Sequence, residues 1–240
     1  MKAKTTGAIS DRAAPPKSRK SGLAKAAAQG APKPEVLEPK AKRRKLGAED
    51  SDTRRLLLDA AEHLMREEGY AAVTSRRLGT KAGVNPQLVH YYFRTMDDLF
   101  LALWRRHVEN NVSRQTEAFL SEHPLRTVWE RSTDIVHGSL AAELMALARH
   151  RKVLRAEIAQ SAERFRKIQA SLLAEIMDDY GLREIFGTPE ALSLMIAALS
   201  RSLIVEGELG ITSGHAQARK LVASWIERLE KHEGVLGKGD

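Results

Sequence analysis

The chain has 240 residues, a formal net charge of +8, 42% apolar and 29% charged residues, and no cysteine. Without a thiol, disulfides, thiolate catalysis and thiolate metal sites are excluded. No run of about 18 apolar residues and no apolar stretch near Met1 points to a membrane span or a signal peptide, so a cytoplasmic protein is the simplest expectation.

The charge is unevenly placed. Residues 1–50 hold 13 Lys+Arg against 5 Asp+Glu, whereas the rest of the chain holds 26 against 26. The same segment carries five of the eight prolines and none of the twelve aromatics. Its apolar residues are mostly alanine and cannot bury enough surface to offset the entropy of ordering, so a disordered basic tail is expected to about Glu49. Within it, Lys42-Arg43-Arg44-Lys45 admits two readings. It is a solubilising linker, or an arm that lays charge on phosphates or enters a minor groove, each neutralised phosphate adding about 0.9 to the log–log salt slope of binding.

From Ser51 onward the periodicity is helical, and the reading is all-α. Leu57, Ala60, Ala61 and Leu64 give the stripe of an amphipathic helix that Gly69 ends. Thr74 is a good N-cap for a second helix that stops before Gly83. Asn85-Pro86 starts a third helix running to about Tyr92. Thr95 caps a fourth, with Asp98 suited to its positive end, and this helix is expected to continue to about Glu122. Beyond Pro124 the pattern predicts helices over Leu125–His137, Ser139–Ala148, Lys152–Tyr180, Pro189–Leu209 and Ser213–His232.

The segment Thr74–Phe100 is thus two short helices about a glycine turn, followed at once by a longer helix. Arg76, Arg77, Lys81 and Arg94 make it positive until Asp97. A helix-turn-helix needs a small residue where its helices meet, which this reading gives to Gly83. Leu78, Ala82, Val84, Val89 and Phe93 form the expected apolar wedge. Gln87, Leu88, His90 and Tyr91 are left exposed: an amide for base edges, an apolar group for a thymine methyl, and two aromatic rings with polar tips. Taken singly, a glycine between short helices is commonplace and the Tyr91-Tyr92-Phe93 run suits a plain core.

The block from Arg54 to about Asn111 resembles the DNA-binding domain of the tetracycline-repressor (TetR) family. The resemblance rests on Ala60-Ala61, Leu64, Gly69-Tyr70, Thr74, Leu78, Ala82-Gly83-Val84, Val89-His90-Tyr91-Tyr92-Phe93 and Asp98-Leu99. It implies a three-helix head over residues 51–111, joined by its fourth helix to a ligand-binding, dimerising helical body over residues 112–240. It also implies that Thr74, Ser75 and Arg76 touch phosphates or a flanking base, and that Pro86, Gln87, Leu88, His90 and Tyr91 face the major groove. Tyr92 would brace the backbone. Where the family usually has a lysine before its acidic pair this chain has Met96, leaving Arg94 or the tail to anchor that phosphate.

In the body, Trp129, His137, Met145, His150, Arg155 and Phe165 are candidates for lining a pocket between Leu125 and Tyr180, although isolated residues of these types are more often ordinary core. No cofactor is expected, only an unidentified, largely apolar small-molecule effector. Leu192, Met195, Leu199, Leu203, Leu221 and Trp225 are expected to anchor a homodimer through a four-helix interface, the alternative being a core helix pair within one subunit. A dimer would set its recognition helices about 34–36 Å apart on double-stranded DNA, over a near-palindromic operator. The expected function is a sequence-specific transcriptional regulator, a ligand-released repressor working at the nucleoid. A non-specific architectural DNA binder is the alternative. The eight histidines show no His-Glu-x-x-His spacing, and there is neither a phosphate-binding glycine loop nor a serine elbow, so no enzymatic activity and no metal site are expected.

Overall fold

The computed structural model describes residues 51–236, with side chains to Lys231; the basic tail expected over residues 1–50 lies outside the described residues. All the regular structure among them is helical. In chain order the elements are α1 (Asp52–Glu68), a 3-10 turn (Tyr70–Ala72), α2 (Ser75–Ala82), α3 (Gln87–Tyr92), α4 (Met96–Phe119), α5 (Pro124–Ser132), α6 (Ile135–Ala148), α7 (Lys152–Met177), α8 (Leu182–Phe186), α9 (Pro189–Glu208) and α10 (His215–Leu236).

Helix starts follow the caps in the sequence. The side-chain oxygens of Ser51, Thr74 and Thr188 accept from Arg54 N at 3.2 Å, Arg77 N at 3.4 Å and Ala191 N at 3.2 Å. At α4 the cap is reciprocal: Thr95 Oγ1 accepts from Asp98 N at 3.1 Å, and Asp98 Oδ2 accepts from Thr95 N at 3.0 Å. This capping box satisfies two otherwise unpaired donors and fixes where α4 leaves α3.

Three expectations need correction. The helix expected over Leu125–His137 breaks at Thr133, because Asp134 is extended and its carboxylate caps α6 by accepting from Val136 N at 3.0 Å. α4 ends at Phe119 rather than near Glu122, and α7 ends at Met177 rather than Tyr180. Between α7 and α9 lies α8, a single turn that helical periodicity could not mark because only Leu182 of it is buried.

The head does not keep its core to itself. Leu57, Ala61, Leu64, Leu78, Val89, Phe93, Leu99 and Leu103 pack in one continuous cluster with Leu140, Leu144 and Leu147 of α6 and Leu154 and Ile158 of α7. A boundary near residue 111 therefore divides the chain but not the apolar interior. Burying one such leucine contributes about 1.5–3 kcal/mol, so this shared core is what holds the head against α6 and α7. Polar links add direction. Glu143 accepts from Tyr70 N at 3.1 Å, Arg151 pairs with Asp97, and Trp104 Nε1 donates to Ser161 Oγ at 2.7 Å. A second cluster, with Ala118, Phe119, Val128, Leu172, Ile176 and Leu192, closes the far end. α4 reaches from the first cluster to the second and runs alongside α7 in the same sense.

Candidate nucleic-acid interface

α2 and α3 meet more closely than side chains permit. A Cβ on Gly79 would lie 2.8–2.9 Å from the Pro86 ring and backbone, so the small residue at the crossing is Gly79. Gly83 does something else. Its φ of +68° reverses the chain in the left-handed region, and Val84 N donates to Gly79 O at 2.9 Å, closing α2. Asn85 Oδ1 then accepts from Gln87 N at 2.9 Å and starts α3. Leu78, Val89 and Phe93 are buried beneath, with Ala82 and Val84 packed against them.

That wedge leaves the opposite face of α3 free. Gln87, His90 and Tyr91 are exposed, Tyr91 at 54%, and Leu88 is half-buried. Tyr92 is also half-buried and meets Tyr91 edge to face, the ring centroids 5.0 Å apart. Pro86, Arg76 and Arg94 are exposed around the same end, and Ser75 Oγ lies 3.9 Å from Met96 Sδ. Thr74 is exposed with its hydroxyl in the α2 cap. The α2 charges separate into two groups. Arg77 is held by Glu68 through contacts of 2.8 and 2.5 Å, and Lys81 stands 3.4 Å from His63 Nε2, so both turn toward α1. The outcome is a short helix presenting an amide, an imidazole and a phenol, with Arg76 and Arg94 as the cations available for phosphates. This is the chemistry of base-edge reading beside backbone anchoring.

The expected pocket residues fall into two cavities instead of one. Trp129 lines an apolar space of about 350 Å³ among α5, α7, α8, α9 and α10, walled also by Phe119, Phe186 and Trp225. His137, Met145 and Phe165 line a second, more polar space of about 220 Å³ between α4, α6, α7 and α9. His150 and Arg155 are exposed and line neither. The second cavity also takes in Trp104, His107, Asn111 and Gln115 of α4, which sequence reasoning missed. The signal was present in part, since Trp104 and His107 share one face of α4.

Around that second cavity the charges are tied together. Asp134 Oδ2 accepts from Arg114 at 2.8 Å and lies 2.9 Å from His137 Nδ1. Burial raises the Asp134 carboxyl, but Arg114 and His137 outweigh it and hold the group below its usual range. For His107, burial dominates over the Glu62 carboxylate and pushes the imidazole down to about 4. A histidine lowered this far below its unfolded value of 6.5 lets the unfolded chain bind more protons between the two values. Its contribution is therefore complete above pH 6.5 and is lost as pH falls toward 4. The full shift is worth roughly 3 kcal/mol. Denaturant unfolding of His107→Gln should lack that part of the pH slope; an identical slope in both proteins would contradict the buried neutral imidazole.

Of the six expected dimer anchors, Leu192 and Leu203 are buried inside the subunit, because α9 turns them onto the bundle. Leu199 is half-buried. Met195, Leu221 and Trp225 are exposed at 53%, 50% and 45%, and Leu194 joins them at 54%.

A family model described as bacterial regulatory proteins of the tetR family matches residues 57–103. The chain is 33% identical over 93 residues to the HTH-type transcriptional regulator BetI of Brucella canis, covering 39% of this chain and 46% of that protein. It thus spans about half the length of the curated relatives it matches. Among solved structures, a TetR transcription regulator from Haloarcula marismortui matches with a TM-score of 0.58 at 19% identity, over 74% of this chain and 97% of that one. Salmonella enterica GusR matches with a TM-score of 0.52 at 17% identity, over 79% and 97%. At such identities the likeness to these structures is one of fold. No helix among the described residues is long and apolar enough to cross a membrane.

Proposed function

Because the chain belongs to the tetR family of bacterial regulatory proteins, we propose that it binds double-stranded DNA in a sequence-specific way as a homodimer. In this reading it represses transcription in the cytoplasm, at the nucleoid, and a small molecule in the body releases it. The observation that carries the proposal is the free face of α3, where Gln87, His90 and Tyr91 stand exposed over a buried Val89 and Phe93. Leu194 and Met195 on α9 and Leu221 and Trp225 on α10 are large apolar side chains exposed on the two C-terminal helices, which supports pairing of those helices with their copies. The release reading draws on α4, which carries the capping box beside α3 at one end and lines the polar cavity further along. A ligand shifting α4 would alter the spacing of the two recognition helices, and a 100-fold release needs about 2.7 kcal/mol of coupling.

Selection of bound duplexes from random DNA tests the proposal. The expected product is a near-palindrome whose half-sites are centred about 34–36 Å apart. Binding to it should survive competition by random DNA at about 0.2 M salt. A pool that never converges on one sequence would instead identify an architectural binder.

A further inference from the structure

We propose that the cavity between α4, α6, α7 and α9 is built for an organic anion: a carboxylate on a compact apolar body that also carries one hydroxyl or N–H donor. The inference deepens the effector reading above and rests on it for its physiological meaning, not for its chemistry. It departs from the largely apolar effector expected from the sequence.

Three features of the walls carry it. The first is apolar surface, with Trp104, Met145, Ile158, Phe165 and Ile196 offering a body-sized patch. The second is charge. Asp134 is the one carboxylate in the lining, and both of its oxygens are engaged, Oδ2 by Arg114 and His137 and Oδ1 by Val136 N. No free carboxylate is left in the lining to receive a cationic ligand. Against it stand Arg131, Arg166 and Arg201. Arg131 is engaged by Arg114 O and Glu117, whereas Arg166, half-buried on α7, and Arg201, at the solvent edge on α9, have no ion-pair partner among the described residues. Guanidinium groups in this position favour a planar carboxylate, which they bind through paired hydrogen bonds.

The third is an unmet acceptor. Gln115 is 4% exposed, and its Nε2 donates to Ser132 Oγ at 3.3 Å, but its buried Oε1 has no hydrogen-bond partner. Buried polar atoms are nearly always paired, so an orphan carbonyl lining a cavity marks a place for a donor that arrives with the ligand. The hydroxyls and carbonyl of the other buried polar side chains in the lining have partners: Ser161 Oγ accepts from Trp104 Nε1, Ser193 Oγ donates to Gln169 Oε1 at 2.6 Å, and Ser200 Oγ donates to Ile196 O at 2.7 Å. Gln115 sits on α4, so a ligand reaching it touches the helix that joins body to head.

Three matched probes separate the parts of the proposal: 4-hydroxyphenylacetate (anion with donor), phenylacetate (anion without donor) and tyramine (cation with donor). Calorimetric titration of the full-length protein, without DNA, should give binding in that order, with phenylacetate about 10-fold weaker than its hydroxylated partner and tyramine silent. Arg166→Gln should weaken both anions by about 10-fold. Gln115→Leu should bind the two anions alike and melt at a higher temperature than the unliganded wild type, a readout that does not depend on any ligand. Tyramine binding as tightly as the anions, an unchanged affinity in Arg166→Gln, or no binding by any probe would overturn the site. Operator affinity is then measured with 4-hydroxyphenylacetate or with tyramine present. Binding without release refutes the effector reading and leaves the anion site standing; release by tyramine alone refutes the anion site and leaves the effector reading standing.

Discussion

Replacing Met195 and Trp225 together by glutamate is expected to leave single subunits and to lower affinity for operator DNA by at least about 100-fold, or ~2.7 kcal/mol. Both side chains are roughly half exposed on the isolated subunit, so water can solvate the new carboxylates there at little cost. In a paired α9–α10 interface the same carboxylates would be buried without partners, and an unpaired buried charge costs about 3–5 kcal/mol. The loss on DNA follows from geometry: one subunit reaches one half-site and forgoes the phosphates of the other. Sedimentation velocity reports the assembly state, anisotropy with operator DNA reports affinity, and circular dichroism should find the helical content unchanged. A variant that still sediments as a dimer would move the interface away from Met195 and Trp225.

How much of this was legible in the sequence depends on the range of the interactions involved. Caps are local, so Thr74 and Thr95 announce their helices and the structure starts α2 and α4 beside them. The wedge of Leu78, Val89 and Phe93 was legible as well, because its pattern follows helical spacing. The role of Gly79 was not. Its need for a bare α-carbon arises only when Pro86 of the next helix comes within 2.9 Å, and nothing local to Gly79 marks that approach. Leu192 and Leu203 illustrate the same limit, since an apolar stripe on α9 fits a core and an interface equally well until the neighbouring helices are placed. For the pocket candidates, Trp129 and Phe165 lie on helices that do border cavities, but which cavity each borders is decided by packing over long sequence separations. The orphaned Gln115 oxygen has no sequence signal at all.

The second large effect concerns α3. Changing Gln87, His90 and Tyr91 to alanine removes three exposed side chains and leaves the buried wedge of Val89 and Phe93 untouched, so the head should keep its fold. Arg76 and Arg94 remain available for phosphates, and sequence-independent binding should therefore change little. Removing a side chain that pairs with a base edge costs about 1–3 kcal/mol of discrimination, and three together should reduce the preference for operator over scrambled DNA by at least 100-fold. Tyr91 also meets Tyr92 edge to face, the ring centroids 5.0 Å apart, so the alanine at this position removes a ring contact along with the phenol.

The most direct measurement is anisotropy titration of wild-type and triple-alanine protein against the selected operator and a scrambled duplex of equal length, at about 0.2 M salt. The ratio of the two affinities should be large for the wild type and fall close to one for the variant, with scrambled-DNA affinity preserved. A variant that keeps the wild-type ratio would mean that the exposed face of α3 does not read the DNA.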